Sequence, residues 1–319
     1  MSADISFIIP VHNTSTYLDR CFNSIFANKT EFKYELIVVD DASEDDSLKK
    51  LEEIKTRKPK NCSFEIISLK KNVGVQKARF VGLDKAIGKF IYFLDSDDEI
   101  TDSFIQDVVS KMDKENLDIL LINTLVKSGN ESFNLISPAS FEHAMIYGAH
   151  LESLLYGDFG FICVHAFKKD YIKSFDSSSL PHLAFMEDLN YYIEITRENM
   201  SKIGYLDKNL YIYYQDKNWH VEKMDESKSE DSIYVINKRY EEIKSKYPEH
   251  LDLWKKANLN TVLRLIHSVK KTQRISNEDK KRIVKKIYSY EFASETINIS
   301  FKQFMKLSMK DKIRYVLYK

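Results

Sequence analysis

Apolar runs that each end in polar or acidic residues and then give way to a helical pattern recur through the first hundred residues. This alternation constrains the fold more than any other feature of the chain. Ile5 to Val11, Leu36 to Val39, Phe64 to Leu69 and Phe90 to Leu94 are nearly continuous in hydrophobicity, as strands buried on both faces are. Between the first two, Leu18, Cys21, Phe22, Ile25 and Phe26 follow i, i+3, i+4, i+7, i+8 spacing, which places them on one face of a helix. Asn13 to Thr16 offer its caps. Ser43 and Asp46 read as a capping box for a second helix through Leu48, Leu51 and Ile54, and Val75 to Ile87 reads as a third. Strands alternating with helices predict an α/β domain, Rossmann-like, with a mainly parallel sheet and helices on both faces.

The pattern continues with a helix from about Asp102 to Glu115, a strand at Asp118 to Thr124 and a less regular stretch around Ser137-Pro138. Phe161 to Val164 reads as a strand, Glu187 to Arg197 as a helix and Leu210 to Tyr214 as a last strand. From about Ser227 glycine disappears and Pro248 is the one proline, while Leu259, Val262, Leu263, Ile266 and Val269 keep helical spacing. The expected organisation is an α/β domain over residues 1–220, dividing near residue 125, and a helical region over 221–319.

Charge and cysteine content exclude some classes of function. The 48 basic and 48 acidic side chains cancel, so no nucleic-acid partner is indicated. Cys21, Cys62 and Cys163 are few and scattered, which fits neither a disulfide framework nor a zinc site and points to a reducing, cytoplasmic setting. Met1 to Asp4 lacks a basic region, and Pro10 and His12 interrupt the apolar stretch that begins at Ile5, so no signal peptide is expected. No apolar run reaches the 18 or so residues that a membrane span needs.

Chemistry concentrates at the strand ends. Asp95, Asp97 and Asp98 put three acids within four residues after Phe90 to Leu94. Carboxylates at the carboxyl edge of an open sheet lie where such sheets bind ligands, and their hard oxygens suit Mg²⁺ or Mn²⁺. The same cluster could simply solvate a strand end. Pro10-Val11-His12-Asn13 and Asp40-Asp41-Ala42-Ser43 end the first two strands on that edge. An Asp pair there can accept hydrogen bonds from a base or a ribose, or merely cap a helix. In Asn72-Val73-Gly74, Gly74 permits a tight helix entry, and Arg79 lies one turn further on with a fixed cation.

Taken in order, Pro10 and Asn13, Asp40-Asp41-Ala42-Ser43, Asn72-x-Gly74-x-x-x-Ala78-Arg79 and Asp95-Ser96-Asp97-Asp98 resemble the nucleotide-binding half of family 2 glycosyltransferases of the GT-A fold, over roughly residues 5–125. The resemblance implies a nucleotide-sugar donor, usually a UDP-sugar, bound with Mn²⁺ or Mg²⁺. It implies donor contacts from Pro10, His12, Asn13, Asp40, Asn72, Arg79, Asp95 and Ser96, with Asp40 at the base and Asp95 at the ribose, and metal contacts from Asp97, Asp98 and, by a looser match beside Trp219, His220. Glu187-Asp188 is similar to the family's Glu-Asp motif near the acceptor. By the same resemblance residues 1–125 are the nucleotide-binding half and 126–220 the acceptor half of a catalytic domain, Asp188 is the general base of an inverting transfer, and Glu187 orients it or binds an acceptor hydroxyl; two acids at a helix start also complement its dipole.

The implied enzyme is a hexosyl- or N-acetylhexosaminyltransferase that builds capsule, lipopolysaccharide or teichoic-acid glycan, with a glycan or lipid-linked saccharide as acceptor. Two other readings are a non-catalytic nucleotide-sugar-binding component of a glycan-assembly complex and a nucleotidyltransferase. The latter predicts a Gly-rich basic loop after the first strand, and Val11 to Tyr17 contains no Gly, Lys or Arg. Residues 301–319 interleave six basic side chains with apolar ones, a pattern suited to packing on another helix, to a homo-oligomer contact or to peripheral contact with the inner face of a membrane.

Overall fold

Strand β1 (Ile5–Val11) is buried along its whole length because parallel strands flank it on both sides: β2 (Tyr34–Asp40) and β4 (Phe90–Phe93). β3 (Cys62–Ser68) extends the parallel array beyond β2. The computed structural model of the protein describes residues 3–136, 138–157, 160–172, 181–183, 185–198, 201–215 and 224–297. Trp219, His220 and residues 301–319 lie outside the described residues.

Helices α1 (Leu18–Phe26), α2 (Ser47–Lys55) and α3 (Val75–Lys85) connect these strands, as the sequence pattern predicts. α1 buries Leu18, Cys21, Phe22 and Ile25, and each such large apolar side chain removed from water contributes about 1.5–3 kcal/mol. α3 lies unusually close to β1: a Cβ added at Gly82 would come within 2.5 Å of Ile8 Cγ2. The expected caps differ. Tyr17 and Asp46 occupy the N-cap positions of α1 and α2 without side-chain capping bonds, because Asn13 and Ser43 are spent on bonds between the strand-end loops.

The remaining strands make the sheet mixed rather than wholly parallel. They are β5 (Glu99–Ile100), β6 (Ile119–Ser128), β7 (Glu131–Asn134), β8 (His165–Lys168) and β9 (Ile203–Tyr214). The order is β3-β2-β1-β4-β8-β6-β9-β5, with β7 on β6. β8 runs antiparallel to both β4 and β6, and β5 runs antiparallel to β9. Residues 162–164, expected as strand, form a 3₁₀ turn, and the strand starts at His165; buried Ile162, Cys163 and Val164 have strand-like hydrophobicity in either geometry. Helix α4 (Phe104–Glu115) precedes β6. Helix α5 (Pro138–Leu155) starts within the stretch expected to be less regular and bends at Gly148, where φ is 75°. Helix α6 (Glu187–Ile195) follows β8.

The chain divides into two compact units, residues 1–152, 158–182 and 191–215, and residues 153–157, 183–190 and 216–319. The first holds the whole sheet. The second is helical where described: α7 (Glu226–Lys246), α8 (Leu251–Lys271), α9 (Asn277–Ser289) and α10 (Glu291–Ile297). Trp254, Tyr240, Val262, Ile266, Ile283 and Phe292 form its interior, and Asp225 and Ser276 cap α7 and α9 through their side chains. No helix among the described residues is long and apolar enough to cross a membrane.

Candidate active site

The site begins with an opening between β1 and β4. Their register ends at Ile8–Phe93, and Pro10 comes two residues later on the β4-facing side, so its missing N–H takes nothing from the ladder. On the other side β1 stays paired with β2 as far as Val11–Asp40. With β2 and β3 on one flank of β1 and β4 on the other, this is the point where strand order reverses, and open α/β sheets bind ligands there.

The loops on this edge hold one another by side chain to backbone bonds. Asn13 adopts a left-handed φ of 55°; its Oδ1 accepts from the N–H of Glu44 at 2.8 Å and of Asp45 at 3.3 Å, which orients its Nδ2 toward His12 Nε2 at 3.2 Å. His12 Nδ1 faces the Asp41 carbonyl at 2.8 Å. A carbonyl only accepts, so Nδ1 carries the hydrogen and Nε2 accepts from Asn13. Asp40 is buried and accepts from Ser43 N–H and Ser68 Oγ. Its neighbour Asp41, equally buried, points the other way: its two oxygens accept from Val73 N–H at 2.7 Å and Gly74 N–H at 2.9 Å. Gly74, at φ 87°, caps α3, and its N–H also donates to Asn72 Oδ1. The doublet therefore splits, with Asp40 serving its own strand end and Asp41 fastening the third loop.

Asp95 to Asp98 form a tight turn closed by Asp98 N–H to Asp95 O at 3.2 Å, and its four side chains have four surroundings. Asp95 pairs with buried Arg79 of α3 at 2.8 Å. Ser96 is buried against Thr14 Oγ1 at 3.0 Å. Asp98 points inward, where Tyr211 O–H donates to it at 2.5 Å and Tyr214 N–H at 2.9 Å. Asp97 is the exposed member, and among the described residues none donates to its carboxylate from another position.

These surroundings order the electrostatics. Burial, then the charges of Asp97 and Asp95, push the Asp98 carboxyl up to about 8, against the lowering effect of its two hydrogen bonds. Burial, then Asp98, hold the Tyr211 phenol above its ordinary range, so it keeps its proton. Desolvation by its packed surroundings, then Asp95, raise Asp97 above the usual carboxylate range, with Arg20 opposing. Crowded carboxylates whose charge is disfavoured, and whose outermost member keeps its hard oxygens clear of protein donors, fit a divalent cation at Asp97. Asp98 has both oxygens engaged by the protein.

Glu187 and Asp188 belong to the second unit, half-buried in the first turn of α6. Met186 enters that turn at φ 57°. Helix α7 fastens both sides of it: Asp231 Oδ2 accepts from Phe185 N–H at 3.1 Å, and Lys238 Nζ donates to Asn190 Oδ1 at 2.9 Å.

The structure thus gathers Pro10, His12, Asn13, Asp40, Asn72, Arg79 and Asp95 to Asp98 on one edge of the sheet. Sequence reasoning gave no individual role to Asp41, Thr14, Arg20, Tyr211 or Tyr214. For Asp41 a signal existed, since consecutive residues at a strand end face opposite ways. For the tyrosines none did, because β9 lies more than a hundred residues from the acid turn in sequence.

Comparison with known proteins gives one family and several likenesses. The family model described as glycosyl transferase family 2 matches residues 6–170. The poly(ribitol-phosphate) β-N-acetylglucosaminyltransferase TarS of Staphylococcus aureus is 35% identical over 121 residues, which is 37% of this chain and 20% of TarS. The chain therefore matches about a fifth of that relative's length. The crystal structure of S. aureus TarS 1–349 in complex with UDP-GlcNAc has a TM-score of 0.52 at 18% identity, covering 99% of this chain and 79% of the other. The mannosyltransferase PcManGT from Pyrobaculum calidifontis, in complex with GDP-Man and Mn²⁺, has a TM-score of 0.54 at 11% identity, covering 100% and 84%. These two share the fold, a GT-A-type mixed sheet with helices.

Proposed function

We propose that this chain, which belongs to glycosyl transferase family 2, is an inverting, metal-dependent enzyme that moves a sugar from a UDP-activated donor to a hydroxyl of a cell-envelope glycan or lipid-linked saccharide. The observation that carries this reading is the acid turn at the β1/β4 opening, with Asp95 fixed by Arg79, Asp98 fixed by Tyr211, and Asp97 facing out. Asp95, with Asp40, Asn72, Arg79, Ser96 and the Pro10 to Asn13 loop, would hold the nucleoside. Asp97 would hold Mn²⁺ or Mg²⁺, with His220 a further candidate ligand. When bound, the cation offsets the charge that gathers on the departing diphosphate.

Residues 1–125 are assigned to the donor, 126–220 to the acceptor, and 221–319 to a helical region. Asp188 is assigned as general base: it takes the proton of the acceptor hydroxyl as that oxygen bonds to the anomeric carbon and the bond to the diphosphate breaks, which inverts the centre. Glu187 orients it. The S. aureus relative's named activity, and the UDP-GlcNAc and Mn²⁺ complexes of the two structural neighbours, support an N-acetylhexosamine donor and a divalent ion. The poly(ribitol-phosphate) in that relative's name supports a cell-envelope acceptor, and we place the site of action at the inner face of the cell membrane, with peripheral contact or self-association through the C-terminal helices.

The test is release of UDP from a panel of UDP-sugars, UDP-GlcNAc first, with and without Mn²⁺. Metal-dependent turnover of one donor is expected; absence of UDP binding across the panel would overturn the donor assignment. Asp188→Asn should abolish transfer while donor binding stays within about twofold, as expected when a group acts only in the transition state. Transfer at the parent's rate would remove Asp188 from the mechanism.

A further inference from the structure

Arg20 has no part in the nucleotide reading, yet its contacts converge on the acid turn. It lies in the first turn of α1 with about a third of its side chain exposed (35%), so it is no part of the core. Its Nη2 donates to the main-chain carbonyl of Asp97. Its Nε lies 3.2 Å from Glu99 Oε1. The guanidinium sits over the Tyr214 ring, 3.7 Å from Cζ to centroid, with the Tyr17 ring at 5.4 Å.

Tyr214 is in turn tied to the same turn at two points. Its N–H donates to Asp98 Oδ1 at 2.9 Å and its hydroxyl to Glu99 Oε1 at 3.0 Å, while Lys127 Nζ donates to that hydroxyl at 3.3 Å. α1, β5 and β9 therefore close around the peptide unit that carries Asp97. A planar guanidinium suits this place because it donates in its plane to the Asp97 carbonyl and pairs by charge with Glu99 while its face rests on an aromatic ring.

We propose that Arg20 is a positioning residue for the metal site: stacked on Tyr214 and neutralised by Glu99, it fixes the Asp97 main chain so that the Asp97 carboxylate faces the ion. The inference rests on the reading of Asp97 as a metal ligand. Two effects of Arg20 oppose each other. Its charge repels a cation, and its hydrogen bond orients the ligand. Glu99 at 3.2 Å offsets the charge, and the directional bond has no substitute, so orientation wins and removal of the guanidinium weakens metal binding.

The experiment measures binding of Mn²⁺ to the full chain in the presence of UDP, by loss of the free-ion electron paramagnetic resonance signal, alongside urea unfolding without metal. Arg20→Met keeps the alkyl stem. It should raise the Mn²⁺ dissociation constant about tenfold, the worth of one hydrogen bond to a charged group, with little change in the unfolding midpoint. Tyr214→Leu, which removes the ring beneath the guanidinium, should weaken Mn²⁺ binding in the same direction, and Arg20→Lys should fall between Arg20→Met and the parent.

Mn²⁺ affinity within twofold of the parent in Arg20→Met, or tighter binding, overturns the proposal, the latter because repulsion would then dominate. Asp97→Asn separates the two readings. Loss of Mn²⁺ binding there with none in Arg20→Met defeats the Arg20 inference alone; retention in Asp97→Asn defeats the metal assignment of Asp97 and the inference with it.

Discussion

Asp98→Asn should flatten the pH dependence of stability in the metal-free protein. In the folded chain the Asp98 carboxyl is 1% exposed and raised from the ordinary 3.8 to about 8 by burial and by the charges of Asp97 and Asp95. Below about pH 4 both folded and unfolded chains hold this proton, and its contribution is fully present. Between about 4 and about 8 only the folded chain holds it, so stability falls as pH rises, by about 1.4 kcal/mol per unit and up to about 6 kcal/mol in all. An amide at position 98 has the shape of the protonated acid, with an oxygen for Tyr214 N–H and an N–H for the Tyr211 oxygen, but does not titrate. Urea unfolding of both proteins at pH 5, 6, 7 and 8 in EDTA should show the parent losing stability more steeply than the variant. Asp97, raised in the same direction, contributes to both and largely cancels in the difference. Parallel curves would refute the argument, because they would mean that Asp98 is already ionised in the folded chain at pH 5.

Gly82→Ala should destabilise the protein by about 1–3 kcal/mol through overpacking, since its Cβ would lie 2.5 Å from Ile8 Cγ2 on the central strand; an unchanged thermal midpoint would show that α3 shifts freely. Asp41→Asn leaves one acceptor oxygen for the two backbone donors of Val73 and Gly74. It should cost about 1–3 kcal/mol for the donor left unpaired and raise the Michaelis constant for donor more than it lowers kcat, which steady-state kinetics over a donor titration would read.

The parallel half of the sheet and its helices were legible in the sequence because strands buried on both faces need unbroken apolar runs, and Ile5 to Val11 or Leu36 to Val39 suit little else. The acid turn was legible for the same reason: a strand ending in Asp95-Ser96-Asp97-Asp98 puts those side chains at a sheet edge wherever the sheet lies. The boundary at Phe161 was less so, since burial, not backbone geometry, selects Ile162, Cys163 and Val164. What composition and spacing could not decide was how neighbouring acids divide their work. Asp40 and Asp41 are chemically identical, and so are Asp97 and Asp98, yet Asp41 clamps Gly74 while Asp40 serves Ser43 and Ser68, and Asp98 is sealed under Tyr211 while Asp97 stays open. Those assignments depend on donors supplied by Val73, Gly74, Tyr211 and Tyr214, which meet the acids only when strands distant in sequence are brought side by side. A carboxylate's charge state and availability are set by the dielectric and the hydrogen bonds around it, and these exist only in the folded chain.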